Sequence, residues 1–299
     1  MPNKNVALVL SSGGSKGLAH IGVINELERQ GFNITSISGS SIGAVIGGLY
    51  AMNKLTEYMD WVKTLDKRKV WGLMDFTLSK NGFLKGERVF NEMQSFIPDM
   101  LIEEMRIPFS AVATDIINEK EVVFNSGSFY SAIRASIAIP TAIKPIEYKD
   151  TYLVDGGVLC PTPIEHIHRN EGDILVVVNL YGDKIEKTSA KEINQKPSIF
   201  GNSKYKEYLS NLIGNLITSD GNKNSLGYFS LLDITSSAMI HKLSKLTIQQ
   251  YQPEITINIP SNSAKTFDFH KANELIKLGK NLAKKQIENY NQTFSNTCN

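Results

Sequence analysis

Gly39-Ser40-Ser41-Ile42-Gly43 matches the pattern G-x-S-x-G and falls between a predicted strand, Ile34 to Ser38, and a predicted helix, Ile42 to Met52. In that context a serine stands on a tight, strained turn with its hydroxyl presented for attack. Glycines at 39 and 43 remove side chains that would collide with the chain as it doubles back. The helix after the turn aims its N-terminus at the same place, which favours developing negative charge. Taken alone, the pattern equally describes a Gly/Ser turn without chemistry, so other residues must decide.

Two further stretches bear on the decision. Ser12-Gly13-Gly14-Ser15-Lys16-Gly17 lies between the strand Val6 to Leu10 and the helix that starts at Leu18. Unpaired N–H groups at a helix start converge on an anion, so this segment reads as a phosphate cradle or an oxyanion hole. The dinucleotide fingerprint G-x-G-x-x-G would need glycine where Ser12 stands, no acidic residue closes the second strand, and no G-x-x-x-x-G-K-[ST] occurs. Nucleotide binding is therefore disfavoured. Val154-Asp155-Gly156-Gly157 places a carboxylate at the end of a short strand, Thr151 to Val154. An Asp-Gly turn is common without function, but three glycine-rich strand ends of one α/β sheet share the edge where such sheets build their sites.

The elements that must position these residues alternate. Apolar residues at Leu18, Ile21, Ile24 and Leu27 have helical spacing, which Gly31 ends as a C-cap glycine would. Ile107 to Thr114 and Glu121 to Phe124 read as strands, Ser128 to Ala138 as a helix broken by Pro140, and Ile174 to Leu180 as a central parallel strand. A long helix over 225–250, a strand Glu254 to Ile259 and a last helix from His270 to Tyr290 complete the pattern. Strand–helix alternation of this kind predicts a sheet layered by helices. We expect a single domain over 1–299, with the motifs in a catalytic core over 6–168. A polar surface loop over 183–205 and a C-terminal helical extension over 206–299 complete the expected organisation.

Composition narrows the function. At 299 residues, 41% hydrophobic and 21% charged, the chain has material for a packed core and resembles neither a disordered chain nor a fibre. Lys plus Arg at 32 against Asp plus Glu at 30 leaves a formal charge of +2, no footprint for a nucleic-acid backbone. Cys160 and Cys298 fit no zinc spacing and no disulfide framework and read as ordinary thiols. The first apolar run is too short for a signal peptide, and the longest weakly polar stretch, Ile42 to Met52, is about half a membrane span. Membrane contact is expected to be peripheral at most.

None of the five histidines falls in a triad or metal pattern: His20 reads as structural, and His166 and His168 as surface residues. Lys16 could steer an anionic head group or be a solvated, helix-terminal lysine. Arg134 and Asp115 read as structural. Trp61, Trp71, Leu73, Met74, Phe76 and Phe83 form either a lipid-facing wall or lid, or core. The last helix sets Ala272, Leu275, Ile276, Leu282 and Ala283 to one side, as a packed stripe or an anionic-membrane contact.

In its motifs and their order, the chain resembles the patatin-like phospholipase family, in its compact bacterial form. Ser12 to Gly17 with Leu18-Ala19-His20-Ile21-Gly22-Val23 resembles the family's oxyanion block, Gly39 to Gly43 its elbow, and Asp155-Gly156-Gly157 its Asp-Gly-Gly/Ala motif. Ala113-Thr114-Asp115 and Arg134-Ala135-Ser136-Ile137-Ala138-Ile139-Pro140 resemble further segments in the same order. The family's usual first oxyanion glycine is Ser12 here, a change that leaves the backbone donors in place. The resemblance implies a layered α/β/α sandwich with a mainly parallel central sheet. It also implies Ser41 as nucleophile, Asp155 as direct proton acceptor, and an oxyanion hole from Gly13, Gly14 and Ser15. Ser12, Lys16, Gly17, Gly39, Gly43, Gly156 and Gly157 support these motifs. No metal or other cofactor is implied. The substrate would be a phospholipid or lysophospholipid, and the protein is expected in the cytoplasm, where it could touch the inner membrane surface peripherally. A Ser-His-Asp hydrolase, whose elbow normally follows more strands than the two before Ser41, and a non-catalytic lipid-binding protein remain as alternatives.

Overall fold

The computed structural model describes residues 4–79, 82–84, 86–185 and 228–297. In chain order the elements are β1 (Asn5–Leu10), α1 (Leu18–Arg29), β2 (Asn33–Ser40), α2 (Ile42–Ala51), α3 (Leu55–Lys63), α4 (Lys67–Leu73), β3 (Phe76–Ser79), β4 (Gly82–Leu84) and α5 (Glu87–Gln94). Next come β5 (Phe109–Asp115), β6 (Lys120–Phe124), α6 (Phe129–Ser136), β7 (Ile146–Tyr148), β8 (Thr151–Asp155), β9 (Ile174–Gly182), α7 (Tyr228–Tyr251), β10 (Ile255–Pro260) and α8 (Ala272–Thr297). The chain divides into two compact units, Met1–Ile185 with Lys242–Asn299, and Glu186–His241. Of the second unit the described residues include only 228–241, the first part of α7. Most of the expected polar loop at 183–205 lies outside the described residues.

The first unit is built on an eight-stranded sheet in the order β10-β9-β1-β2-β5-β8-β7, with β6 also paired to β5. The five strands from β10 to β5 are parallel, and β6, β7 and β8 run antiparallel to their neighbours. The fold is thus the α/β sandwich with a mainly parallel sheet that the sequence predicts. Alternation along the central strand creates the layers: Val6, Leu8 and Leu10 face the large core beneath α1, α2 and α8, while Val9 joins Leu175, Val177 and Ile164 on the other face. A strand buried on both faces must be apolar at every position, which is why β1 reads as an unbroken apolar run.

The pairing of β5 brings two distant strand ends together. Ala111 and Val112 pair with β2 and with β6 at once, so those strands flank β5 on opposite sides. Ala113 to Asp115 pair with β6 and β8 at once, which puts β8 on the same side as β2. The two strands therefore meet end to end: Ser40, the last residue of β2, lies opposite Val112, and Asp155, the last of β8, lies opposite Ala113.

Local sequence sets the element ends. At the end of α1, Gly31 adopts φ 80°, its N–H donates to the Glu28 carbonyl, and the Phe32 N–H donates to that of Leu27. This is the Schellman arrangement that glycine permits. Among the described residues, no helix is long and apolar enough to cross a membrane. Of the two readings of the last helix, the structure has the packed stripe: Ala272, Leu275, Ala283 and Ile287 are buried, and Ile276 and Leu282 pack at the core's margin.

The α1–α8 contact is made by backbone. A Cβ on Gly22 would lie 1.9 Å from the Ile276 carbonyl oxygen, and one on Gly279 would lie 2.0 Å from that of Ala19. Helix propensity alone makes Gly279→Ala stabilising by about 1 kcal/mol. The contact reverses the sign, and we expect a loss of roughly 1–3 kcal/mol, seen as a lower urea midpoint at unchanged slope.

Candidate active site

Ser41 joins β2 to α2 with φ 54° and ψ −124°, a conformation that a non-glycine residue holds only when its surroundings enforce it. Three contacts enforce it. Its N–H donates to Ser136 Oγ at 2.8 Å, and that hydroxyl donates in turn to the Val112 carbonyl at 2.6 Å. Its carbonyl accepts from Ala44 and Val45 N–H, which starts the helix. The turn can close because a Cβ on Gly39 would lie 2.4 Å from the Gly43 carbonyl oxygen, and one on Gly43 would lie 2.1 Å from that of Leu10.

Across the strand junction, Ser41 Oγ donates to Asp155 Oδ2 at 2.5 Å. The other carboxylate oxygen accepts from Gly157 N–H at 2.7 Å. Both side chains are buried. Removal from water pushes the Asp155 carboxyl up to about 6, against the pull of its hydrogen bonds from Ser41 and Gly157. Gly156 sits where the strands abut, since a Cβ there would lie 2.1 Å from the Val112 carbonyl oxygen.

The glycine loop passes beside this pair. Gly14 has φ 60°, and among the described residues nothing accepts from the N–H of Gly13 or Gly14. Ser15 departs from expectation: its N–H donates to the Thr266 carbonyl at 2.8 Å and its hydroxyl to that of Lys265 at 2.7 Å, so it holds the loop to the segment after β10. Lys16 departs as well. Its ammonium is buried, donates to the carbonyls of Leu180 at 3.0 Å and Ser261 at 3.4 Å, and lies over the Tyr181 ring. Burial lowers its pKa to about 8. It is a tether inside the protein, not a solvated lysine steering head groups. Gly17 packs against Ile42, where a Cβ would come within 2.4 Å of the side chain.

A narrow apolar cleft of about 150 Å³ opens on Ser41 and Gly14 and runs between Val45, Tyr58, Val62, Leu65, Phe90 and Met93. Trp61, Leu73 and Met74 line it too, so the tryptophan-rich segment forms its wall, while Trp71 is exposed. The side chains of Phe76 and Phe83 lie outside the described residues. Thr266, Phe267 and Phe269, far along the chain, also line it.

The sequence profile of the patatin-like phospholipases matches residues 8–167, more than half of the chain. The chain belongs to the patatin-like phospholipase family. An uncharacterized NTE family protein of Mycobacterium tuberculosis is 31% identical over 338 aligned positions, covering 95% of this chain and 91% of its own. Lysophospholipase NTE1 of the yeast Lodderomyces elongisporus is 31% identical over 184 positions, which are 60% of this chain and 13% of that protein. Among solved structures, VipD from Legionella pneumophila aligns with 97% of this chain and 67% of its own at a TM-score of 0.48 and 14% identity.

Several further residues hold this patatin-like site in place. Tyr181, at the end of β9, shares a 2.6 Å hydrogen bond with Ser12 Oγ. His20 Nε2 donates to the Ser11 carbonyl at 3.0 Å, and full burial lowers its pKa to about 4, so the ring is a neutral anchor of the loop, the structural role expected of it. Asp115 caps the β5–β6 turn through Ile117 and Asn118 N–H, also a structural role. Arg134 is half-buried and feels the charges of Glu87 and Asp75. His166 is not a free surface residue: it is partly buried and bonded to Glu121, whereas His168 is exposed.

Ser136, which the sequence places in a family-like segment without a role of its own, satisfies both the strained turn and β5. Ser136→Ala leaves the buried Ser41 N–H without its acceptor, and we expect a loss of about 1–3 kcal/mol in urea unfolding.

Proposed function

We propose that this protein hydrolyses carboxylic esters of phospholipids or lysophospholipids through an acyl-enzyme, with Ser41 as nucleophile and Asp155 as proton acceptor. The observation that carries the reading is the direct Ser41–Asp155 hydrogen bond, with Ser41 lining an apolar cleft. Membership of the patatin-like phospholipase family and the likeness to a lysophospholipase support a lipid ester as substrate.

The chemistry follows from the arrangement. Asp155 Oδ2 takes the hydroxyl proton as Ser41 Oγ bonds to the ester carbonyl carbon, whose oxygen becomes the oxyanion. The N–H groups of Gly13 and Gly14 receive that charge, and each such donor contributes about 2.7–4 kcal/mol to the transition state. Collapse of the intermediate breaks the bond to the alcohol, which leaves with the proton from Asp155. Water then gives a proton to Asp155 as it attacks the acyl-enzyme carbonyl, and Asp155 passes that proton to Ser41 Oγ as the acyl bond breaks, which releases the fatty acid and restores both residues. The narrow cleft seats the acyl chain, and access to lipid requires peripheral contact with a bilayer.

Ser41→Ala should abolish turnover of a short-chain p-nitrophenyl ester and release of fatty acid from a mixed lipid extract, read by mass spectrometry, while the far-ultraviolet circular dichroism stays native. Asp155→Asn cannot accept the proton and should lose about 10²–10⁴-fold or more in kcat/KM. No histidine replacement that leaves the protein folded should reproduce either loss. Near-native turnover in a folded Asp155→Asn would overturn the mechanism.

The pH profile gives an independent check. Asp155 must be ionised to act as base, so kcat/KM should fall as pH drops through about 6 and level off above it. A profile flat from pH 5 to pH 8 would contradict that assignment.

A further inference from the structure

Away from the cleft, three side chains that are remote in sequence converge. Glu121 stands on β6, Cys160 in the turn after Asp155, and His166 at the end of the short 3₁₀ turn Ile164–His166. Their donor atoms, a carboxylate oxygen, Sγ and a ring nitrogen, all lie within 4.8 Å of one another. His166 Nε2 already donates to the Glu121 carboxylate. Cys160 is buried, while the imidazole and carboxylate beside it are 22% and 29% exposed.

Thiolate, imidazole and carboxylate are the donor types that Zn²⁺ takes, and three protein ligands leave a fourth tetrahedral position for water. Zinc–ligand bonds of about 2.0–2.3 Å place such donors about 3.4–3.6 Å apart. Sγ would have to approach the other two donors by at most about 1.4 Å, while His166 Nε2 and the carboxylate oxygen it is bonded to, closer than this spacing, would have to part. The backbone beneath each donor is held independently. Cys160 N–H donates to the Gly156 carbonyl at 2.8 Å, Glu121 pairs with Thr114 in the β5–β6 ladder, and the His166 carbonyl accepts from Ser110 Oγ at 2.9 Å. Two carboxylates, Glu121 and Glu165, act electrostatically on the thiol, a field that favours a cation.

We propose that Glu121, Cys160 and His166 form a binding site for a thiophilic divalent transition-metal ion, with Zn²⁺ best suited to the donor set. Binding displaces the thiol proton to solvent and moves the Nε2 hydrogen of His166 to Nδ1, leaving one sulfur, one nitrogen and one oxygen on the ion. The ion takes no part in ester hydrolysis. Its Cys160 ligand lies on the segment that runs from Asp155 to Pro161, whose carbonyl accepts Ser12 N–H at 2.8 Å.

The test is a Co²⁺ titration of the reduced, metal-stripped full chain, read by thiolate-to-cobalt charge-transfer absorption and reversed with Zn²⁺. The unaltered protein and Cys298→Ser should saturate at one Co²⁺ per chain and bleach when Zn²⁺ is added. Cys160→Ser should lose the band. His166→Ala and Glu121→Gln should weaken binding by about tenfold or more, as loss of even an outer-shell partner does. His166 is partly exposed, so its variant keeps the test decisive should Cys160→Ser not fold. No band in the unaltered protein, a band that persists in folded Cys160→Ser, or an affinity unchanged in His166→Ala would overturn the proposal. Turnover is not the readout, so this outcome stands apart from the hydrolase reading.

Discussion

The arrangement of this protein depends on keeping one carboxylate out of water and in contact with one hydroxyl. For the proposed hydrolysis, an aspartate in solvent would be too weak a base to take a serine proton. Burial raises its affinity for that proton, and Asp155 reaches about 6 from an ordinary 3.8. With the folded-state value raised, this group's contribution to stability is complete below about pH 3.8 and is lost as pH rises through about 6. At neutral pH the ionised, buried carboxylate costs the fold roughly 3 kcal/mol. That is about what burying one leucine side chain contributes, so a core of this size absorbs it.

Bringing the two groups into contact is a problem of strand direction. Parallel strands deliver their C-terminal ends to one edge of the sheet, which is how β1 and β2 bring the glycine loop and Ser41 together. β8 reaches the same edge from the opposite direction. It pairs with the far half of β5, whose near half pairs with β2, so the last residues of β2 and β8 face each other across the junction of Val112 and Ala113. The close approaches at Gly39, Gly43 and Gly156 exist because two strand ends and a helix start share that space.

The glycine loop is held from parts of the chain beyond the family-matched segment. Tyr181 and the Leu180 carbonyl lie at the end of β9, and the carbonyls of Ser261, Lys265 and Thr266 follow β10. These contacts give the C-terminal region a part in the site, since without them the loop's donors would have no fixed direction. They also account for a lysine inside the protein: carbonyls and an aromatic face receive its charge.

The chain's own order of residues determined the strand–turn–helix units, the serine on its tight turn and the carboxylate at a strand end. Each is written in contiguous residues whose backbone preferences and periodicity act locally. Those same features sufficed for the layered α/β fold, because an apolar run such as Val6 to Leu10 has few other ways to be buried. Only the tertiary structure decided which donors of the loop are free, turning Ser15 and Lys16 inward against carbonyls some 160 to 250 residues away. It alone brought Ser136 under the elbow, Thr266 into the cleft wall, and Glu121 and His166 to Cys160. Hydrogen bonds between segments distant in sequence depend on strand order and register, which leave no trace in local spacing.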